Sequence, residues 1–81
     1  MTLKQRLAQL DTSLGAFGPG AHLEWQLALI YNALLEEAKR EHPDDLVIKT
    51  LEPLRRSQGG LAVGSRAGTV QAAVQQMLVV V

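Results

Sequence analysis

The residues of this 81-residue chain that could take part in catalysis or metal binding are few and lie far apart. The chain has no cysteine, which excludes disulfides, thiolate–metal sites and thiol catalysis. His22 and His42 are distant in sequence, and neither has a second ligand at the helical spacings that metal sites use. Glu36, Glu37 and Glu41 are most simply the solvated end of a helix. We therefore predict no enzyme activity, no metal and no cofactor, with an unrecognised catalytic constellation as the open alternative.

A glycine-rich stretch comes close to a phosphate-binding loop without completing it. Gly59 and Gly64 have the spacing of the two glycines in G-x-x-x-x-G-K-[ST]. Ser65 and Arg66 follow where the motif has Lys and then Ser or Thr, and that lysine is the residue that reaches the β- and γ-phosphates. We therefore expect no nucleotide and predict a glycine-rich loop over residues 57–68.

The same stretch has a helical alternative, because small residues recur at every fourth position and would let another helix approach closely. Each glycine would cost an exposed helix about 1 kcal/mol, so the loop is favoured. The residues concerned are Gly60, Gly64, Gly68 and Ala72.

Residues 54–78 also support a second functional hypothesis, a degenerate helix-turn-helix in a small DNA-associated regulator. The predicted recognition helix, which begins at Thr69, contains no Lys or Arg, whereas phosphate contacts dominate affinity for DNA. The candidate nucleic-acid contacts under this hypothesis are Arg55, Arg56 and Arg66. Eight basic and eight acidic residues cancel, so no overall field attracts nucleic acid, and we do not expect it as a partner.

The hydrophobic pattern predicts an all-α protein, a small bundle of about four helices in one domain that spans residues 1–81. Thr2 and Gln5 have the spacing of a capping box, and leucines then recur along one helix face. Pro53 predicts a kink or break in the third helix, because its ring clashes with the carbonyl four residues back. The predicted helices cover residues 2–14, 21–41, 44–56 and 69–80.

The second predicted helix has the largest apolar stripe. The run Leu27–Tyr31 is apolar all round, which predicts that the middle of this helix is covered on most sides. Trp25 lies off the main stripe, and we favour a rim position over an interface position for it. The residues of the stripe are Leu23, Leu27, Ile30, Leu34 and Ala38.

The amount of aliphatic surface predicts the function. Four apolar stripes in so short a chain exceed what one small bundle is expected to hide, and an exposed patch of that kind usually marks a binding site. We therefore predict a protein–protein interaction module that self-associates as a homo-oligomer, most simply a homodimer. The candidate interaction residues are Leu3, Leu7, Leu10, Leu14, Trp25, Val79, Val80 and Val81.

Membrane association is not expected. The longest uncharged stretch, Ala67–Val81, contains three glutamines and is shorter than the roughly 20 apolar residues that a bilayer-spanning helix needs. No apolar run follows Lys4 and Arg6, so no signal peptide is visible. These observations predict a cytoplasmic protein.

Overall fold

The structure is a computed structural model that describes residues 2–18, 20–55 and 61–81. Four helices form most of the described chain, which confirms the predicted all-α bundle, and two short strands join them. In chain order the elements are α1 (Leu3–Gly15), β1 (His22–Glu24), α2 (Trp25–Glu41), α3 (Leu46–Thr50), β2 (Leu61–Arg66) and α4 (Ala67–Val80). No helix among the described residues is long and apolar enough to cross a membrane.

Helix α1 forms as predicted, because its start is specified locally. The Thr2 hydroxyl accepts a hydrogen bond from the Gln5 amide at 3.1 Å, and the Gln5 side chain accepts one from the Thr2 amide at 3.0 Å. This reciprocal pair is the predicted capping box. Gly15 is the last helical residue, and a Cβ there would lie 3.2 Å from Nε2 of Gln71 on α4. A larger residue at this position would require the Gln71 side chain to shift by a few tenths of an ångström.

The two strands correct the predicted boundaries of α2 and of the glycine-rich loop. Residues 22–24 pair antiparallel with 61–66, with a register irregularity, so α2 begins at Trp25 rather than at residue 21. Leu23 is buried while His22 and Glu24 face outward, which is the alternation of a strand. Of the predicted loop 57–68, residues 61–66 form β2 and 67–68 begin α4. Residues 57–60 lie outside the described residues.

Helix α3 is shorter than the predicted 44–56. Asp45 caps it, because its carboxylate accepts a hydrogen bond from the Ile48 amide at 3.0 Å. The helix ends at Thr50, and Leu51 is already extended. Two causes end it early: Pro53 disfavours helical geometry at the residue before it, and the Asn32 side chain holds Leu54 in a non-helical segment.

The core lies between α1, α2 and α4. The side chain of Gln71 on α4 reaches the carbonyl of Asp11 on α1, so the start of α4 lies beside the end of α1 and the two helices run antiparallel. Burial raises the pKa of the Tyr31 hydroxyl, which favours its neutral form. The side chains that fill the core are Leu3, Leu7, Leu10, Leu14, Leu23, Ala28, Tyr31, Leu34, Leu35, Ala38, Ile48, Val70, Val74 and Met77.

Candidate interaction surface

The leucine face of α1 is not the free surface that the sequence predicted. All four of its leucines are buried within this one chain, where α1 packs against α4 and α2. The prediction that this apolar face is free to bind a partner is therefore wrong, because α4 supplies a matching row of apolar side chains that covers it. The four buried residues are Leu3, Leu7, Leu10 and Leu14.

The remaining predicted interaction residues differ in exposure. Val79 is 88% exposed, whereas Val80 and Val81 are half-buried and pack against the core. Trp25 is also half-buried against the core, at the start of α2. Of the candidate set, Val79 is therefore the residue that the structure leaves openly exposed.

A different aliphatic surface is exposed on α2, and we call Leu29, Ile30 and Ala33 the α2 ridge. Leu29 is 51% exposed, Ile30 is 49% exposed, and Ala33 is also exposed. Each residue of a helix is rotated by about 100° from the one before, so Ala33 points almost opposite to the buried Tyr31 and Leu35. The expectation that the apolar run 27–31 is covered on most sides, with Ile30 inside, is therefore wrong.

One side of the α2 ridge borders a groove between α1 and α2, which we call the α1/α2 groove. Its volume is about 360 Å³ and its floor is aliphatic. Because α1 and α2 run antiparallel here, Arg6 lies near the C-terminal end of α2 and Ser13 near the N-terminal end. The lining residues are Arg6, Gln9, Leu10, Ser13, Leu27, Ile30, Ala33 and Leu34.

The other side of the α2 ridge borders a second groove, of about 490 Å³, whose far wall is Pro53. The side chain of Asn32 fixes this wall. Its Nδ2 donates to the Leu54 carbonyl at 3.0 Å, and its Oδ1 accepts from the Leu54 amide at 2.7 Å. One amide side chain thus satisfies both backbone groups of Leu54. Glu36 and Lys39 lie at the polar edge of this groove.

The charged groups of this surface cluster at its C-terminal end. Nη2 of Arg6 donates to both carboxylate oxygens of Glu37, at 2.6 Å and 2.5 Å, and joins α1 to α2. Nε of Arg6 is buried and has no hydrogen-bond partner among the described residues. Glu36 and Arg40 are exposed nearby, whereas the N-terminal end of the surface carries the uncharged side chains of Ser13 and Gln26. The surface is therefore aliphatic in the middle and charged at one end.

The residues considered for chemistry are not brought together. His22 is exposed, and its Nε2 lies 2.9 Å from Nη1 of Arg66, whereas His42 follows the end of α2. Within the part of the chain that the structure describes, no three His, Asp or Glu residues are grouped to hold a metal ion. Gly64 and Ser65 lie in β2, while Gly59 is outside the described residues.

The arginines considered for DNA contact do not flank a helix-turn-helix. β2 directly precedes α4, so the described residues of 54–78 contain no helix before it. Arg66 donates to the Gly20 carbonyl at 2.9 Å and thereby ties the end of β2 to the chain before β1. Arg55 is exposed, and Arg56 lies outside the described residues.

Comparison with known proteins does not assign the chain to a family. No protein-family model, no curated protein sequence and no solved structure matches it. The surface on α2 is therefore the feature from which a function is inferred.

Proposed function

We propose that this chain is a protein–protein interaction module without catalytic activity, and that the α2 ridge and the α1/α2 groove are its binding face. The observation that carries the proposal is the exposure of about half of Leu29 and of Ile30 in the middle of a helix whose other face is core. Self-association and a cytoplasmic location, both expected from the sequence, remain part of the proposal.

The energetics support a binding role for this face. Complete burial of one Leu or Ile side chain is worth about 1.5–3 kcal/mol, so covering the exposed halves of Leu29 and Ile30 would contribute roughly that amount together. The neighbouring groove adds aliphatic area in its middle, and Arg6, its charged lining residue, lies at one end. A partner that covers both would gain affinity mainly from apolar burial and specificity from the polar rim.

The shape of the face indicates what kind of partner it accepts. The α1/α2 groove runs along two antiparallel helices, and such a groove suits the apolar side of another helix. The partner side chains best matched to it are medium-sized aliphatic ones, because the floor is formed by leucines and an alanine. Arg6 and Glu37 at one end favour a partner with uncharged polar groups at that end.

Selection from a phage-displayed library of amphipathic helical peptides tests the binding face. We expect selected peptides to bind the chain, and Ile30→Glu to weaken binding about tenfold or more, because a carboxylate would be placed in the centre of an apolar contact. Val79→Glu is the matched control, since it makes the same change at a more exposed valine outside the face. Unfolding in urea shows that both variants are folded.

Two results would contradict the proposed function. One is a selection that yields no peptide binding above background. The other is a set of peptides that bind Ile30→Glu as tightly as the unchanged chain, which would place the binding face elsewhere.

The DNA-associated regulator is the weaker candidate, because no described feature favours it. Arg66 is engaged by Gly20 and His22, and the chain carries no net charge. Titration with random duplex DNA at low salt distinguishes the two functions, since nonspecific binding that weakens steeply with added salt would support the regulator.

A further inference from the structure

We infer that the α2 face binds a second copy of the chain, with the two α2 helices antiparallel about a two-fold axis near residues 30–33. This inference rests on the proposed function, because it uses the same face. It assigns the expected self-association to that face and adds the orientation in which the second copy binds. Two features of the surface lead to it: its shape and its distribution of charge.

The first feature is that a ridge and a groove lie side by side. Ile30 and Ala33 belong to the α2 ridge and also form one wall of the α1/α2 groove. A two-fold axis between two such surfaces puts the ridge of each copy into the groove of the other. The surface is thus self-complementary, as an isologous contact requires.

The second feature is the uneven distribution of charge along α2. Glu36 and Arg40 are exposed at the C-terminal end, and Gln26 is exposed at the N-terminal end. A parallel arrangement would bring the two Glu36 side chains together. An antiparallel arrangement instead places the charged end of each copy against the uncharged end of the other, which avoids repulsion between like charges.

The contact between the two copies is small for a protein–protein interface. The eight residues that line the α1/α2 groove, with Leu29 and Gln26, make about ten residues per copy. Standard interfaces use about 20–30 residues per partner and bury about 800 Å² on each. The contact therefore lies below that range, and we expect a weak, reversible dimer whose population rises with concentration.

Sedimentation equilibrium over a wide range of protein concentration tests the identity of the partner. We expect the average mass to rise toward that of a dimer, and Ile30→Glu to weaken dimerisation about tenfold or more while Val79→Glu leaves it unchanged. A chain that stays monomeric throughout would overturn the inference. If selected peptides still bind such a chain, the proposed binding face stands and self-association is wrong.

The absence of cysteine allows a clean test of orientation. We would mix Gln26→Cys and Glu36→Cys chains and join them with a short thiol-reactive cross-linker at concentrations where the dimer forms. The antiparallel arrangement brings each Gln26 position near a Glu36 position of the other copy, so the mixed product should dominate. Predominance of the two same-site products would indicate a parallel pair and would overturn the orientation.

Discussion

Helices α1 and α2 both carry rows of large aliphatic side chains, yet only α1 hides its row completely. The four leucines of α1 lie on one face, and α4 covers that face along its length. In α2 the apolar residues extend around the helix, while the core takes only the side that carries Tyr31 and Leu35. The width of the apolar stripe on a helix, compared with the width of the surface that covers it, therefore decides which helix retains an exposed aliphatic face.

The largest effect expected from this comparison is on stability. Leu7→Ala should lower the free energy of unfolding by about 2–5 kcal/mol, because Leu7 is fully buried and its truncation leaves a cavity. Ile30→Ala should cost much less, because about half of that side chain is already in solvent. Urea unfolding of both variants measures the difference. Equal losses for the two variants would contradict the assignment of Leu7 to the core and Ile30 to the surface.

The wall of the second groove provides the next test. Asn32→Ala removes both side-chain hydrogen bonds to Leu54. The backbone amide and carbonyl of Leu54 then lack these partners at a half-buried position. We expect a loss of about 1–3 kcal/mol and faster hydrogen exchange of the Leu54 amide. Asn32→Asp is the control, since its carboxylate keeps the acceptor for that amide but loses the donor. An unchanged exchange rate in Asn32→Ala would show that Asn32 does not hold this segment.

The difference between the two helices also explains which parts of the fold could be predicted. α1 is specified by neighbouring residues: the capping box at Thr2 and the leucine spacing are both local, so the sequence predicts its bounds to within one residue at each end. The exposed side of α2 depends on where α1 and α4 lie. No periodicity within the apolar run 27–31 distinguishes its covered side from its open side.

The two strands are not predictable from the sequence pattern for a related reason. β1 has only three residues, and its partner β2 lies far along the chain, beyond α2 and α3. The one local signal was Leu23 between two polar residues, an alternation too short to outweigh the helical pattern that follows. The early end of α3 likewise depends on a distant side chain, Asn32, and not on Pro53 alone.

A smaller effect is expected at the N-terminus of α1. Thr2→Ala removes the acceptor for the Gln5 amide and should cost about 1 kcal/mol. Thr2→Ser retains a hydroxyl and serves as the control. Because α1 is held mainly by its buried leucines, the loss should appear as fraying of the first turn in hydrogen exchange. Loss of the whole helix would mean that the cap, rather than packing, maintains α1.

The smallest effect is expected where the two helices meet, at the ion pair between Arg6 and Glu37. Both side chains are partly exposed, and ion pairs of that kind contribute about 0–1 kcal/mol. Arg6→Met should therefore change the unfolding free energy by less than about 1 kcal/mol, since methionine keeps an aliphatic side chain at the wall of the α1/α2 groove. Urea unfolding at low and high salt separates the contribution of the ion pair from that of the aliphatic side chain. Added salt should slightly lower the unfolding free energy of the unchanged chain and leave that of Arg6→Met unaffected. A loss comparable with that of Leu7→Ala would show that this pair, and not the apolar core, holds α1 against α2.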